Sequence, residues 1–281
     1  MSSARSARRA ACKLKTASEQ TANTAAMRLT KNSKLFITNG AALFIGTVND
    51  TEFHSHHMLQ ITCAHGSEFL IEIADKGISA RSIVLDANCR HRLTGRDDAQ
   101  AIILIEPETS AGTALRGYLG GRPFRIPETP MDAFGLAESM PPRDQSISGI
   151  IDQLFARLGI GIDARSETDG RIDRVIETIH GAEGKKISVS ELARIVSLSE
   201  GRLQHIFKGQ TGISIKKYLQ WKRLIDGVNA IVKGNDFTFA SHESGFADSA
   251  HMSRTFKEMF GINLMDIFHR SRSVQVIICK N

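Results

Sequence analysis

Two kinds of hydrophobic spacing divide the chain. From Leu35 to about Leu119, short apolar runs (LFITNG, AALFIGTV, MLQITCAHG, EFLIEIADKG, RSIVLDANC and QAIILIEP) are broken by Gly, Asn and Asp. Runs of this length with turn residues at their ends predict β-strands. Phe69, Ile71 and Ile73 alternate with Leu70, Glu72 and Ala74, the period of a half-buried strand. Six or more such strands predict a small barrel or sandwich. A stretch rich in Pro and Gly follows at 120–145. Then SISGIIDQLFARLGI (146–160) places apolar residues at 147, 150, 151, 154, 155 and 158, a helical stripe. That helix is expected to cover the sheet or to pair with its copy in a second subunit. The polar residues 160–170 read as a linker.

Beyond Arg171 the spacing is helical throughout. Ile172, Val175, Ile176 and Ile179 give one buried face. Ser188 with Glu191 fits a capping box, in which each side chain satisfies the other residue's backbone N–H. Leu192, Ala193 and Val196 point inward, Ser199 caps the next helix, and Leu203, Ile206 and Phe207 anchor it. Residues 214–232 have the periodicity of one helix of about 28 Å. A second unit follows, with Met252, Phe256 and Met259 or Phe260 as its core. The two units are copies of one pattern: the first closes on Phe207, Lys208 and Gly212, the second on Phe256, Lys257 and Gly261. Two helices joined by a tight turn make a helix-turn-helix, whose second helix can enter a DNA major groove.

Charge sharpens this division. Residues 171–281 hold 17 Lys and Arg against 11 Asp and Glu, and residues 35–170 hold 11 against 18. An acidic middle and a basic C-terminal third suit one part that meets nucleic acid and one that does not. Residues 1–34, with Glu19 as the only acid, read as a disordered basic tail. The four cysteines (Cys12, Cys63, Cys89 and Cys279) form no CxxC pair, which argues against structural zinc and for a reducing compartment. No apolar run is long enough to cross a bilayer, so a cytoplasmic protein with no membrane partner is expected.

The outward faces of the two second helices carry the candidate DNA contacts. These are Glu200, Arg202, Gln204, His205 and Lys208 in one unit, and Ser249, His251, Ser253, Arg254 and Lys257 in the other. Arg and Lys match guanine O6 and N7, Gln matches adenine N6 and N7, and Ser serves bases or phosphates. Lys216, Lys217, Lys222 and Arg223, on the long helix, suit phosphates or internal acids. No Ser/His/Asp or Cys/His constellation and no Gly-rich phosphate loop is present, so an enzyme is not expected.

The run Leu192-Ala193, Ser199, Leu203, Phe207-Lys208, Gly212, Tyr218-Leu219, Arg223-Leu224, Gly245-Phe246, Asp248, Arg254, Phe256-Lys257 and Phe260-Gly261 resembles the DNA-binding region of the AraC/XylS family of bacterial transcription regulators. The resemblance covers residues 171–270. It implies two helix-turn-helix units on one linker helix, binding adjacent major-groove segments of double-stranded DNA, with RNA polymerase as a partner. This chain departs from the family pattern at Ala240-Ser241, at Leu264 where Pro is usual, and at Gly227 where Ala is usual. Glycine there is expected to loosen the linker helix by about 1 kcal/mol.

More weakly, the strands resemble the cupin-like sensor barrel of the same family. His54-Ser55-His56, Gln60 and Gly66 look like the first cupin motif, with Gln60 where metal cupins carry Glu; Asn88 and His91 fall in the second. The resemblance implies an effector site at His54, His56, Gln60 and His91, with no metal or cofactor assigned. The expected architecture is an α+β multidomain chain: a basic tail (1–34), a cupin-like β-barrel sensor (35–145), a helix and linker (146–170), an all-α domain of two helix-turn-helix units (171–270) and a C-terminal tail (271–281). A homodimer through Leu154 and Phe155 is a further expectation. The alternative function is a metal-dependent cupin enzyme, dioxygenase-like, with a helical appendage.

Overall fold

A computed structural model describes residues 33–38, 40–48, 50–94, 98–135, 147–162, 169–182, 187–268 and 274–278. The expected basic tail therefore lies almost wholly outside the described residues, as do most of the linker and the end of the Pro-rich stretch. The strands are β1 (Ser33–Thr38), β2 (Ala41–Thr47), β3 (Leu59–Ala64), β4 (Phe69–Ile73), β5 (Lys76–Ala80), β6 (Ser82–Leu85), β7 (His91–Thr94), β8 (Ala99–Ile105) and β9 (Phe124–Arg125). A tenth strand, β10 (Val274–Ile278), lies in the expected C-terminal tail and pairs in parallel with β1.

One sheet runs β10-β1-β2-β8-β3-β6-β9 and a smaller one runs β5-β4-β7. At its centre Ile103 of β8 lies opposite Leu43 of β2 and Ile61 of β3, all nearly inaccessible to water. Apolar and β-branched pairs across neighbouring strands are the unit of sheet stability, and they fix this register. Among the described residues the expected barrel is not closed. Both sheets are open, and the edge strand β9 makes only two pairs with β6. Pro123 and Pro127 bracket β9, and a residue without an N–H cannot extend a ladder.

Helix α1 (Ser110–Leu119) and helix α2 (Ile147–Leu158) cover the larger sheet. The stripe read from the sequence is the buried face of α2: Ile147, Ile150, Ile151, Leu154 and Phe155 join one core with β1, β2, β3 and β8. Leu154 and Phe155, the expected dimer contact, are 0% and 1% exposed within a single chain. Their stripe is used internally.

The C-terminal part comprises α3 (Gly170–Gly181), α4 (Val189–Ile195), α5 (Glu200–Thr211), α6 (Ile215–Val232), α7 (Phe237–Glu243), α8 (Ser249–Phe260) and α9 (Leu264–Phe268). It has two cores. Ile172, Val175, Leu192, Leu203, Phe207 and Tyr218 build the first from α3, α4, α5 and the start of α6. Leu224, Val228, Ala240, Met252, Phe256 and Leu264 build the second from the end of α6, α7, α8 and α9. The long helix thus gives one half to each unit, with Trp221 between them.

Candidate nucleic-acid interface and the adjoining cavity

Each unit is assembled by the same local chemistry. Ser199 caps α5 by accepting a hydrogen bond from the Arg202 N–H, and Asp248 caps α8 from the His251 N–H. Such side-chain oxygens satisfy amides that the first turn leaves without partners. The reciprocal box of Ser188 and Glu191 starts α4 as expected. Both recognition helices end on a left-handed glycine, Gly212 at φ +82° and Gly261 at φ +69°. The turns between paired helices also match: the Leu198 N–H donates to the Ala193 carbonyl, and the Phe246 N–H to the Ser241 carbonyl. The positive φ needed inside each turn is taken by Ser197 in one and Gly245 in the other.

With Leu203 and Phe207 turned into the core, Glu200, Arg202, Gln204, His205 and Lys208 are exposed along α5. On α8, His251 and Arg254 are exposed, while Ser249, Ser253 and Lys257 are half-buried. Lys257 is committed elsewhere: its Nζ lies 2.7 Å from Glu52 Oε1. On α6, Lys222 pairs with Asp226 one turn on.

Glu52 belongs to a set of contacts by which the N-terminal part holds the C-terminal ends of both recognition helices. Its own N–H donates to the Gly261 carbonyl at 3.0 Å. Arg116 of α1 donates to the carbonyls of Gln210 and Thr211 at the end of α5, at 3.4 and 3.2 Å. A cation at a helix C-terminus meets the negative end of its dipole and carbonyls that the helix leaves without partners. A side chain on Gly261 would come within 2.6 Å of the Glu52 carbonyl and of His54. The close docking therefore requires glycine there.

Between the larger sheet and the second unit lies an apolar cavity of about 160 Å³. Leu35, Phe44 and Leu104 line one side; Trp221, Val228 and Phe260 line the other. Its polar groups include His54, His56, Gln60 and Glu106. Burial pushes the Glu106 carboxyl up, with the Glu108 charge adding to it, and Trp221 Nε1 donates to Glu106 Oε1 at 3.4 Å. Of the four expected effector residues, His54, His56 and Gln60 line the cavity, and His91 packs on His54 with ring centroids 4.3 Å apart. Burial lowers the His54 imidazole to about 4, with His56 adding to it; burial likewise lowers His56 and His91. All three are neutral at pH 7.

Comparison with known proteins agrees with this geometry. Residues 192–270 match a family model described as a helix-turn-helix domain. The Msm operon regulatory protein of Streptococcus mutans is 30% identical over 101 residues, 35% of this chain and 36% of that protein. The chain thus spans about a third of the length of that relative. The probable transcriptional regulator LumQ of Photobacterium leiognathi is 22% identical over 222 residues, 75% of this chain and 89% of that protein. A crystal structure of ToxT from Vibrio cholerae superposes with a TM-score of 0.58 at 10% identity, covering 84% of this chain and 100% of that one. The C-terminal part is an AraC-type helix-turn-helix domain. ToxT extends the likeness in fold to the N-terminal sheets.

The departures from the AraC-type pattern are all packed. Ala240 and Ser241 are both fully buried, and the Ser241 hydroxyl is absorbed by the Thr238 carbonyl at 2.8 Å. Leu264 is fully buried and joins the second core of the AraC-type domain. At Gly227 an added Cβ would stand 2.6 Å from Met252 Sδ and 2.9 Å from Ser244 Oγ. The glycine lets α6 lie close against α7 and α8, so its helix-propensity cost accompanies a packing requirement. The residues that join the AraC-type domain to the sheets, Glu52, Glu106 and Arg116, were not singled out from the sequence. Glu106 had one signal: an acid directly after the apolar run AIILI.

Proposed function

We propose that the chain is a sequence-specific, non-enzymatic DNA-binding transcription regulator whose N-terminal part takes a small-molecule effector. One observation carries the DNA reading: two recognition helices of the same construction flank one continuous helix, each with an exposed face of base-reading side chains. Arg202, Gln204, His205 and Arg254 are the candidate base contacts, and Glu200, Lys208, Ser249, His251 and Ser253 flank them. Lys257 would reach DNA only on releasing Glu52, which ties the second recognition helix to the state of the N-terminal part. RNA polymerase is the partner that such a regulator would engage. Recovery of one sequence motif from genomic fragments by the full chain tests the proposal.

The cavity supports the effector reading because its two walls belong to the sheet and to the AraC-type domain, so a ligand there contacts both. A molecule that binds one arrangement of the two parts better than another shifts their equilibrium. A ToxT structure holds an unsaturated fatty acid. Here, among the described residues, no Lys or Arg lines the cavity, and Glu106 and neutral histidines stand at its polar end. An apolar molecule with a hydroxyl or amide suits this lining better than a carboxylate, which would face Glu106 with no Lys or Arg beside it. In chelator-treated protein, a long-chain alcohol should raise the melting temperature of the full chain, and the matching fatty acid should raise it less. The reverse order would contradict this ligand class.

A further inference from the structure

Three histidines from two separate segments meet at one point. His54 and His56 precede β3, and His91 opens β7. His54 and His91 are locked side by side by two backbone hydrogen bonds, of 2.9 and 3.0 Å. One ring nitrogen from each of the three lies within 4.8 Å of the others, and all three residues are buried. A tetrahedral ion with bonds of 2.0–2.1 Å needs its nitrogens about 3.3 Å apart. Binding an ion there therefore draws the three rings closer together.

The ring orientations point the same way. Nδ1 of His54 lies 2.8 Å from the Glu52 carbonyl oxygen, Nδ1 of His56 2.8 Å from that of Met58, and Nδ1 of His91 2.9 Å from that of Cys89. A carbonyl only accepts, so each Nδ1 carries the proton and each Nε2 presents a lone pair. Metal-bound histidines characteristically donate their other N–H to a carbonyl or carboxylate, which fixes tautomer and ring direction. Here all three do so. Nε2 of His91 is buried and has no hydrogen-bond partner among the described residues. An unsatisfied buried acceptor is costly, and in a native fold it calls for an occupant. Gln60 is the fourth polar group: its Oε1 lies 2.9 Å from His56 Nε2, and its Nε2 donates to the Thr62 hydroxyl at 2.8 Å. The proton on His56 Nδ1 favours the reversed amide in the metal-free chain, with the NH2 toward the His56 lone pair and Oε1 accepting from Thr62.

We infer that His54, His56 and His91 together bind one divalent first-row transition-metal ion. Neutral imidazoles select zinc, copper, nickel or iron over magnesium and calcium, which prefer oxygen ligands. The site adjoins the apolar cavity, which His54 and His56 also line. It also abuts the C-terminal end of the second recognition helix, where His56 packs 5.9 Å from the Phe260 ring. The inference stands on the histidine geometry and holds whether or not the chain reads a DNA sequence.

The full chain, stripped with chelator, is titrated with Zn2+ by calorimetry and with Co2+ by visible absorption. One ion per chain is expected, with Co2+ bands of a nitrogen-ligated ion. His91→Ala and His56→Ala should each weaken Zn2+ binding by about 100-fold or more, whereas His65→Ala, at an exposed ring outside the cluster, should leave it unchanged. Because a buried substitution can disturb folding, His91→Gln is compared by circular dichroism and by the rise in melting temperature that Zn2+ gives the wild type. That rise should vanish in a folded His91→Gln chain. Absence of stoichiometric binding by the wild-type chain, or binding that survives His91→Ala unchanged, would overturn the site and leave the cluster a purely structural contact.

Discussion

Trp221→Ala should lower the stability of the folded chain by about 3–5 kcal/mol, the range for removing a large aromatic from a core. Trp221 is 2% exposed at the point where α6 passes from one helix-turn-helix unit to the other. Its ring lies 6.0 Å from Phe260, it lines the cavity, and its Nε1 donates to Glu106. Truncation therefore empties space shared by the sheet and the second unit, and removes a donor from a buried acid. Trp221→Phe keeps most of the contact and loses only the donor, so it should cost about 1–2 kcal/mol. Urea unfolding followed by far-ultraviolet circular dichroism measures both; fluorescence cannot, since Trp221 is the sole tryptophan. A loss below about 1 kcal/mol for Trp221→Ala would mean that α6 is not anchored on the sheet.

The second large effect concerns DNA. Arg202 and Arg254 are exposed and lie on different recognition helices. A bidentate arginine on guanine gives about 1–3 kcal/mol of discrimination. Contributions from separate units without shared partners add. The double substitution Arg202→Ala with Arg254→Ala should therefore cost about 2–6 kcal/mol on the preferred sequence, roughly 30-fold to 10⁴-fold in affinity. Folding stability should change by no more than about 0.5 kcal/mol for each, because both side chains are at the surface. Fluorescence anisotropy on the preferred duplex and on a scrambled one checks this. An equal loss on both duplexes would assign the two arginines to phosphates instead of bases.

The features legible in the sequence are those set by local chemistry. The caps at Ser188 and Ser199, the closing glycines 212 and 261, and the stripes of Leu203-Phe207 and Met252-Phe256 depend on neighbours within a few residues. Strand alternation at Phe69–Ile73 is equally local. Contacts made at long range were hidden. Lys257 looks like any basic residue near a helix end until Glu52, far away in sequence, is folded against it. The α2 stripe is apolar whether it meets a sheet or a second subunit; only the fold shows Leu154 and Phe155 inside one chain. Barrel closure depends on which edge strands pair, a long-range property that hydrophobic spacing along one strand does not carry. Of the candidate sites, the histidines were found from their motif. Their convergence, with three Nδ1 atoms on three carbonyls, is a property of the tertiary structure.

Sequence-specific recognition by the two recognition helices is the central claim. It is tested most directly by selecting genomic DNA fragments with the purified full chain near physiological salt, sequencing them, and repeating the selection with Arg202→Ala and Gln204→Ala. We expect one enriched motif, with two conserved blocks about one helical turn apart (~34 Å). The variants should blur the block read by α5 and leave the other sharp. A pool without an enriched motif, bound tightly but lost steeply as salt rises, would contradict the claim, because contacts to the phosphate backbone alone would then account for the binding.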